Sequence, residues 1–142
     1  MANRENIYSA LFSLVSYTPH FTTKSRKIRH WADVQPSEMP ALFQAQIGET
    51  CQQTGGGVPA KRIFNVELYI YASSPNNSDT PSIQLNDLLD MVENTLAPDY
   101  SGKQTLGGIV SHCWIDGRIQ TDEGTLGQIA VAIIPISILA TI

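Results

Sequence analysis

A regular alternation of apolar residues in the middle of the chain limits its possible folds more than any other feature. Between Lys61 and Tyr71, every second position from residue 64 to residue 70 is strongly apolar. These positions are Phe64, Val66, Leu68 and Ile70. Successive side chains of a β-strand point to opposite sides, so the alternation predicts a strand with one buried face. Such a strand needs partners, and the fold must therefore contain a sheet.

Further strand signals lie on both sides of this segment. Residues 41–47 alternate in the same way, and residues 109–115 and 127–139 are also predicted as strands. Pro135 lacks the N–H group that a strand ladder requires, so it predicts that the last strand is bent or lies at a sheet edge. Residues 20–31 could contain a short strand in which Ile28 is the one strongly apolar residue, and residues 33–40 predict a loop marked by Pro36 and Pro40.

Turn formers divide the remaining chain. Asp116-Gly117 predicts a tight turn that leads into a short return strand over residues 118–121, and residues 122–124 predict another turn. Residues 48–60 are rich in glycine and predict a long hairpin connection with a mobile tip. Residues 73–81 predict a loop.

Two amphipathic helices complete the predicted elements. Asn3 is a suitable N-cap for a helix that ends near Tyr17, and Pro98 ends a second helix over residues 82–96. The chain has 142 residues, which suits a single domain over residues 1–142. The order of elements predicts the α+β class: an antiparallel or mixed β-sheet with two main helices packed on one face, and a long β-hairpin arm.

The charged residues are few and unevenly distributed. They make up 15% of the chain, whereas about 25% is typical of soluble domains. Residues 1–62 carry seven basic against four acidic side chains, and residues 63–142 carry two against nine. Sparse charge predicts that other subunits cover part of the surface, and opposite charge in the two halves suits head-to-tail contacts between copies.

No group of residues has the pattern of a catalytic, cofactor-binding or metal site. His112 and Cys113 are neighbours on a predicted strand and would point to opposite faces, so they do not form a base–nucleophile pair. Three carboxylates share one side of the second predicted helix without a histidine, which favours a solvated stripe over a metal site. These carboxylates are Asp87, Asp90 and Glu93. We therefore expect no enzymatic activity and no cofactor.

The sequence also predicts a location. The first residues are polar and show no signal peptide, and no apolar run is long enough to span a membrane. We expect the chain to be made in the cytosol, where Cys51 and Cys113 stay reduced.

Residues 24–31 form the strongest electrostatic feature of the chain. Four basic side chains lie close to Trp31 in this segment. They fit a solvated basic surface, a contact with nucleic-acid phosphate, or a contact with an acidic partner such as a neighbouring subunit. The net charge of −4 argues against dedicated DNA binding.

Several segments together resemble the tail-terminator proteins of long-tailed bacteriophages, also described as minor tail protein U-like or tail-completion proteins. The segments are the helix Ile7–Val15, the stretch Arg29–Val34, the stretch Met39–Gln46 with Gly48-Glu49, Lys61-Arg62 with Tyr69-Ile70-Tyr71, the helix Leu85–Leu96, the stretch Thr105–Val110, and Ile115-Asp116-Gly117.

This resemblance implies a structural role. Such proteins are not enzymes; they have an α/β fold and form a hexameric ring that caps the tail tube and stops its elongation. The ring also offers a surface to the head-completion or connector protein, and the genomic DNA passes through it without specific binding. The resemblance places the protein in the virion, at the head-proximal end of the tail, after assembly in the host cytoplasm.

Two alternatives remain at this point. Head–tail joining proteins, which complete the head, have similar size and composition. A protein of a different class, a small intracellular ligand-binding or enzymatic α+β domain, would use the region of His112 and Asp116.

The predicted contact residues fall into two sets. Those expected to contact a neighbouring subunit or the tail-tube protein are Lys24, Arg26, Lys27, Arg29, Trp31, Glu49, Gln52, Gln53, Lys61 and Arg62. Those that could line the channel of a ring are Asp87, Asp90 and Glu93, since a negative lumen would repel DNA phosphate.

Overall fold

The computed structural model describes residues 2–17, 20–53, 55–74 and 80–142, with the side chains of residues 125 and 126 left aside. Within these residues, two α-helices and six β-strands follow one another along the chain. They are α1 (Arg4–Ser16), β1 (Thr23–Ser25), β2 (Ala41–Gln52), β3 (Lys61–Ser73), α2 (Pro81–Thr95), β4 (His112–Ile115), β5 (Gln120–Leu126) and β6 (Ile129–Thr141). Two single turns of 3₁₀-helix, Trp31–Asp33 and Pro36–Glu38, lie between β1 and β2.

The strands form one mixed sheet in the order β1-β2-β3-β6, and both β4 and β5 pair with the outer side of β6. β1 runs parallel to β2, whereas the other pairs are antiparallel. The longest ladder joins β3 to β6 and runs from Lys61 opposite Thr141 to Ser73 opposite Ile129. The α+β class with a mixed sheet is therefore confirmed.

The main hydrophobic core joins both helices to the two central strands. Phe64, Val66, Leu68 and Ile70 are all buried in it, as their alternation predicts. Every second residue of β6 belongs to the same cluster, and alternate strand residues share one face of a sheet. The helix residues buried in this cluster are Ile7, Tyr8, Leu11 and Val15 of α1 and Leu85, Leu88 and Val92 of α2.

A second, smaller cluster lies on the other face of the sheet. Val34 and Met39 come from the connection between β1 and β2, and they pack with Phe43 and Tyr71 of the strands. The Tyr71 hydroxyl donates a hydrogen bond of 2.7 Å to the backbone carbonyl of Arg29. This connection therefore packs on the sheet face opposite the main core, near the end of β2 that pairs with β1.

The start of α1 follows the sequence prediction closely. The Asn3 side chain accepts a hydrogen bond of 2.9 Å from the Asn6 backbone N–H, and the Asn6 side chain accepts one from the Asn3 N–H. This reciprocal pair is a capping box, which satisfies N–H groups that the first helical turn leaves without partners.

The predicted hairpin at Asp116-Gly117 is wrong. β4 and β5 do not pair with each other; both run antiparallel to β6, one after the other along the same edge. Residues 116–119 bulge out opposite Pro135, whose carbonyl accepts a hydrogen bond of 3.0 Å from the Asp116 N–H. Pro135 has no N–H to return on that side, so the outer strand is interrupted there.

The prediction that Pro135 could mark an edge strand is also wrong. β6 lies inside the sheet, between β3 on one side and β4 and β5 on the other. β6 accommodates the proline because the missing N–H faces the outer side, where β4 and β5 lie, so a hydrogen bond is lost on that side and not in the ladder with β3.

The turn expected at residues 122–124 is displaced too: β5 continues to Leu126, and the connection to β6 lies at residues 127–128.

Several boundaries differ from those predicted. Residues 48–52 belong to β2, so the connection to β3 shortens to residues 53–60 and the hairpin strands lengthen. Ile28 lies outside β1 and is 45% exposed. β4 begins only at His112, after a turn in which Leu106 has a φ of 50°. Much of the loop expected at residues 73–81 lies outside the described residues.

The buried stripe of α2 gives a direct test of the packing. Leu88 is 2% exposed and Ile83 is 63% exposed on the same helix. Leu88→Ala should lower the free energy of unfolding by about 2–5 kcal/mol, because it leaves a cavity in the main core. Ile83→Ala is the matched control and should change it by less than about 0.5 kcal/mol. Urea unfolding followed by circular dichroism measures both, and equal losses would contradict the assigned helix orientation.

Candidate functional site

The basic segment predicted from the sequence lies at the β1 edge of the sheet, but its arginines are bound within the molecule. Arg26 Nη1 lies 2.5 Å from Glu5 Oε1, and Arg26 Nη2 donates a 3.3 Å hydrogen bond to Gln46 Oε1. This guanidinium group is the main reason that the pKa of Glu5 is lowered. Arg26 therefore links the segment after β1 to α1 and to β2.

Arg29 is bound in a similar way. Its guanidinium group contacts Glu38 at 2.9 Å and donates a 2.7 Å hydrogen bond to the backbone carbonyl of Asp33. The hydrogen bond from Arg29 lowers the pKa of Glu38. Trp31 is half-buried against the second cluster, and its ring centroid lies 5.1 Å from that of His30. Arg29 and Trp31 therefore help to hold the connection between β1 and β2 on the sheet.

Lys24 and Lys27 differ from these arginines. Both side chains are exposed. Among the described residues, neither ammonium group forms an ion pair. The free positive charge of the β1 edge is therefore carried mainly by two lysines rather than by the whole predicted cluster.

Glu49 lies at the centre of an ion-pair cluster. Arg4 Nη2 contacts Glu49 Oε1 at 2.7 Å, and Arg62 Nη1 lies 3.6 Å from the same oxygen. The hydrogen bond from Arg4 is the largest cause of the lowered pKa of Glu49. These side chains connect the start of α1 to β2 and β3. The contact is partly exposed, so its contribution to stability is small.

The remaining predicted contact residues lie where the β2–β3 hairpin ends. Gln52 pairs with Lys61 across the ladder, Gln53 follows directly, and all three are exposed. The structure thus places Gln52, Gln53 and Lys61 together, at the opposite end of β2 from the strand β1.

The three carboxylates of α2 lie on its exposed side. Asp87, Asp90 and Glu93 are all exposed, whereas Leu85, Leu88 and Val92 point into the core. In the described part of the chain, no three His, Cys, Asp or Glu residues form a group that could hold a metal ion.

In the described structure, His112 and Asp116 bond to different partners. His112 Nδ1 accepts a hydrogen bond of 3.1 Å from the Gln104 N–H, and the imidazole stacks on Trp114 with 5.0 Å between the ring centroids. Asp116 accepts a 2.9 Å hydrogen bond from the Ser137 hydroxyl instead of contacting the histidine. The histidine is therefore a packed side chain with an occupied Nδ1.

Cys113 points away from His112, as predicted from their adjacent positions. It is 1% exposed and belongs to the main core, and burial raises the pKa of its thiol to about 12. Cys51, by contrast, is exposed on β2.

Sequence reasoning missed the open part of the β2 edge. β1 pairs only with Ala41–Phe43, so beyond Phe43 no described strand lies on that side of β2. Gln44, the first residue past this pairing, is 2% exposed, and its Nε2 donates a 3.0 Å hydrogen bond to the Tyr8 carbonyl. The alternation of residues 41–47 does not reveal this open edge, because the edge depends on the length of β1, which the sequence of β1 does not predict.

Comparisons with known proteins add no relative. No protein-family model matches the chain, and the search of curated proteins finds no significant match. None of the helices in the described ranges is both long enough and apolar enough to cross a membrane.

The two cysteines should differ sharply in reactivity. A chromogenic disulfide reagent at pH 8 should modify one thiol per folded chain, because Cys51 is exposed whereas the raised pKa and burial of Cys113 keep its thiol protonated and inaccessible. Cys51→Ser should abolish the rapid reaction, and Cys113→Ser should preserve it. Two rapidly reacting thiols in the folded wild-type protein would contradict the placement of Cys113.

Proposed function

We propose that this protein is a phage tail terminator, a structural subunit whose copies form a hexameric ring on the end of the tail tube. The ring stops tube elongation and offers a surface to the head-completion protein. The observation that carries the proposal is that the two lateral edges of the sheet bear opposite charge. Such edges suit head-to-tail contacts, which generate a ring when the rotation between copies closes.

The positive edge lies beside β1, where Lys24 and Lys27 are exposed. The negative edge lies on the far side of β6, where β5 carries Asp122 and Glu123. β2, β3 and β6 separate these two edges, so a single subunit cannot bring them together. A row of identical subunits would place each positive edge against the negative edge of the next copy.

The sparse charge of the chain supports the same proposal. Only 15% of the residues are charged, and Arg26, Arg29 and Glu49 are already paired within the molecule. A subunit with neighbours on two sides needs less charge to stay soluble than an isolated domain does. The resemblance of the sequence to tail-terminator proteins provides the particular role.

The carboxylates of α2 suggest how DNA would pass. In a ring whose helices face the axis, Asp87, Asp90 and Glu93 would line the channel. Negative side chains there would repel the phosphate backbone, so the genome would slide without binding.

The location of the protein in the virion tests this function. Immunogold labelling of virions from the phage that encodes the chain should place gold at the head-proximal end of the tail. Tails assembled without the protein should be longer than normal and should not join heads. Label that stays on the head vertex after heads and tails are separated would instead identify a head–tail joining protein, and absence from the virion would contradict both roles.

The channel hypothesis has its own test. Replacing Asp87, Asp90 and Glu93 by serine should slow genome ejection without changing tail length, because the lumen would lose its repulsion of phosphate. Ejection into buffer, followed by the fluorescence of a DNA-binding dye, gives the rate. A matched triple substitution of exposed polar residues on the same helix, Gln84→Ser, Asn86→Ser and Asn94→Ser, should leave ejection unchanged. Equal ejection rates for all three phages would exclude acids in the channel.

A further inference from the structure

We propose that the open edge of β2 binds the β5 edge of a second copy of this chain, so that the sheet continues from one subunit to the next. This inference deepens the proposed ring, on which it rests, by naming the two surfaces that meet.

The first surface is the side of β2 that β1 leaves uncovered. β1 ends at Ser25 opposite Phe43, while β2 continues to Gln52. From Gln44 onward, no strand among the described residues pairs with this side. Unpaired backbone N–H and C=O groups on an edge strand form a template for another strand.

The second surface is the outer side of β5. β5 pairs with β6 on its inner side, and in the described structure no strand lies beyond it. β4, its neighbour along the same edge, is partly covered, because the Cys113 N–H donates a 2.8 Å hydrogen bond to the Gln104 carbonyl. β5 is therefore the free part of this edge.

The strand directions are compatible. β2 is antiparallel to β3, β3 to β6, and β6 to β5, so β5 runs opposite to β2. A second copy in the same orientation would place its β5 antiparallel to β2 of the first. Each strand has a bulge, one between Gln46 and Gly48 and one between Glu123 and Leu126. The regular stretches that remain are Gly48–Gln52 and Gln120–Glu123, which are similar in length.

The charges agree with this alignment. Lys27 lines a cavity near the point where the uncovered side of β2 begins. The other residues of this cavity are Glu5, Arg26, Gln44 and Gln46. Antiparallel pairing of the two regular stretches places Gln120 of the neighbouring β5 near Gln52 and Glu123 near Gly48, so Glu123 lies at the end of the paired stretch that is nearer to Lys27. An exposed carboxylate would thus come close to an ammonium group that has no ion-pair partner in the described chain.

Both edges also contain a shielded oxygen with no hydrogen-bond partner among the described residues. On β2 it is Gln44 Oε1, whose amide nitrogen is already bound to the Tyr8 carbonyl. On β5 it is Asp122 Oδ1. A buried acceptor without a donor is costly, and a docked neighbour would bring further N–H groups and cations toward both edges.

Charge reversal on exposed residues tests the pairing in the full-length chain. Lys27→Glu and Glu123→Lys should each weaken self-association by about tenfold or more, because each brings like charges together. An equimolar mixture of the two variants should restore association. In alternating copies, the negative Lys27→Glu edge of one variant then contacts the positive Glu123→Lys edge of the other. The double variant should also associate like the wild type. Sedimentation velocity over a concentration series measures all four samples.

A control variant makes the same kind of charge change at another place. Lys103→Glu lies in the turn before β4; the residue is exposed, and the variant should leave association unchanged. If the wild type forms a ring that either reversal leaves intact, the named edges are wrong while the proposed ring survives. A wild-type chain that remains monomeric at its highest soluble concentration overturns the inference in favour of an edge partner other than a second copy.

A zero-length carbodiimide cross-linker gives a contact-level readout. It joins an ammonium group to a touching carboxylate as an amide, with loss of water. In a mixture of ¹⁴N- and ¹⁵N-labelled protein, mixed-isotope peptides joined through Lys27 and Glu123 are expected. Links between copies only at other residues, or links only within one copy, would refute the proposed contact even if the oligomer itself is stable.

Discussion

The antiparallel ladder between β3 and β6 is the interaction on which the rest of the structure depends. Thirteen residue pairs join the two strands, from Lys61 opposite Thr141 to Ser73 opposite Ile129. Both helices pack on the alternate side chains of this pair, β2 extends it on one side, and β4 and β5 extend it on the other. β3 and β6 are separated by more than fifty residues, so the remaining elements are positioned by a contact between two strands that are distant in the sequence.

Local patterns explain which elements the sequence predicts well. The period of two around Phe64 and Leu68 and the N-cap at Asn3 depend on residues within one strand or one helical turn, and both are present in the fold. The errors arise where a distant strand decides the outcome. Asp116-Gly117 has the composition of a hairpin turn, but β6 binds the residues on both sides of it, so the turn becomes a bulge opposite Pro135.

The candidate site shows the same division between local and distant information. The sequence places four basic side chains between residues 24 and 29, but it does not reveal that Arg26 contacts Glu5 or that Arg29 contacts Glu38. Once those contacts are known, the free charge reduces to Lys24 and Lys27. The acidic side chains of α2 were predicted correctly as an exposed stripe because helical periodicity is local. The open length of β2 depends on where β1 ends and was not predictable.

The interruption opposite Pro135 has a consequence for how far the sheet can grow. A long uninterrupted outer strand would offer a continuous template to any extended peptide and would favour open-ended fibres. Here the outer edge is divided into two short pieces, and Gln104 already bonds the backbone of one of them. On this edge of the described structure, β5 is the piece whose outer side remains open to another strand. The missing N–H of a single proline thus shortens the continuous template that this edge presents to another strand, and a short template disfavours open-ended pairing.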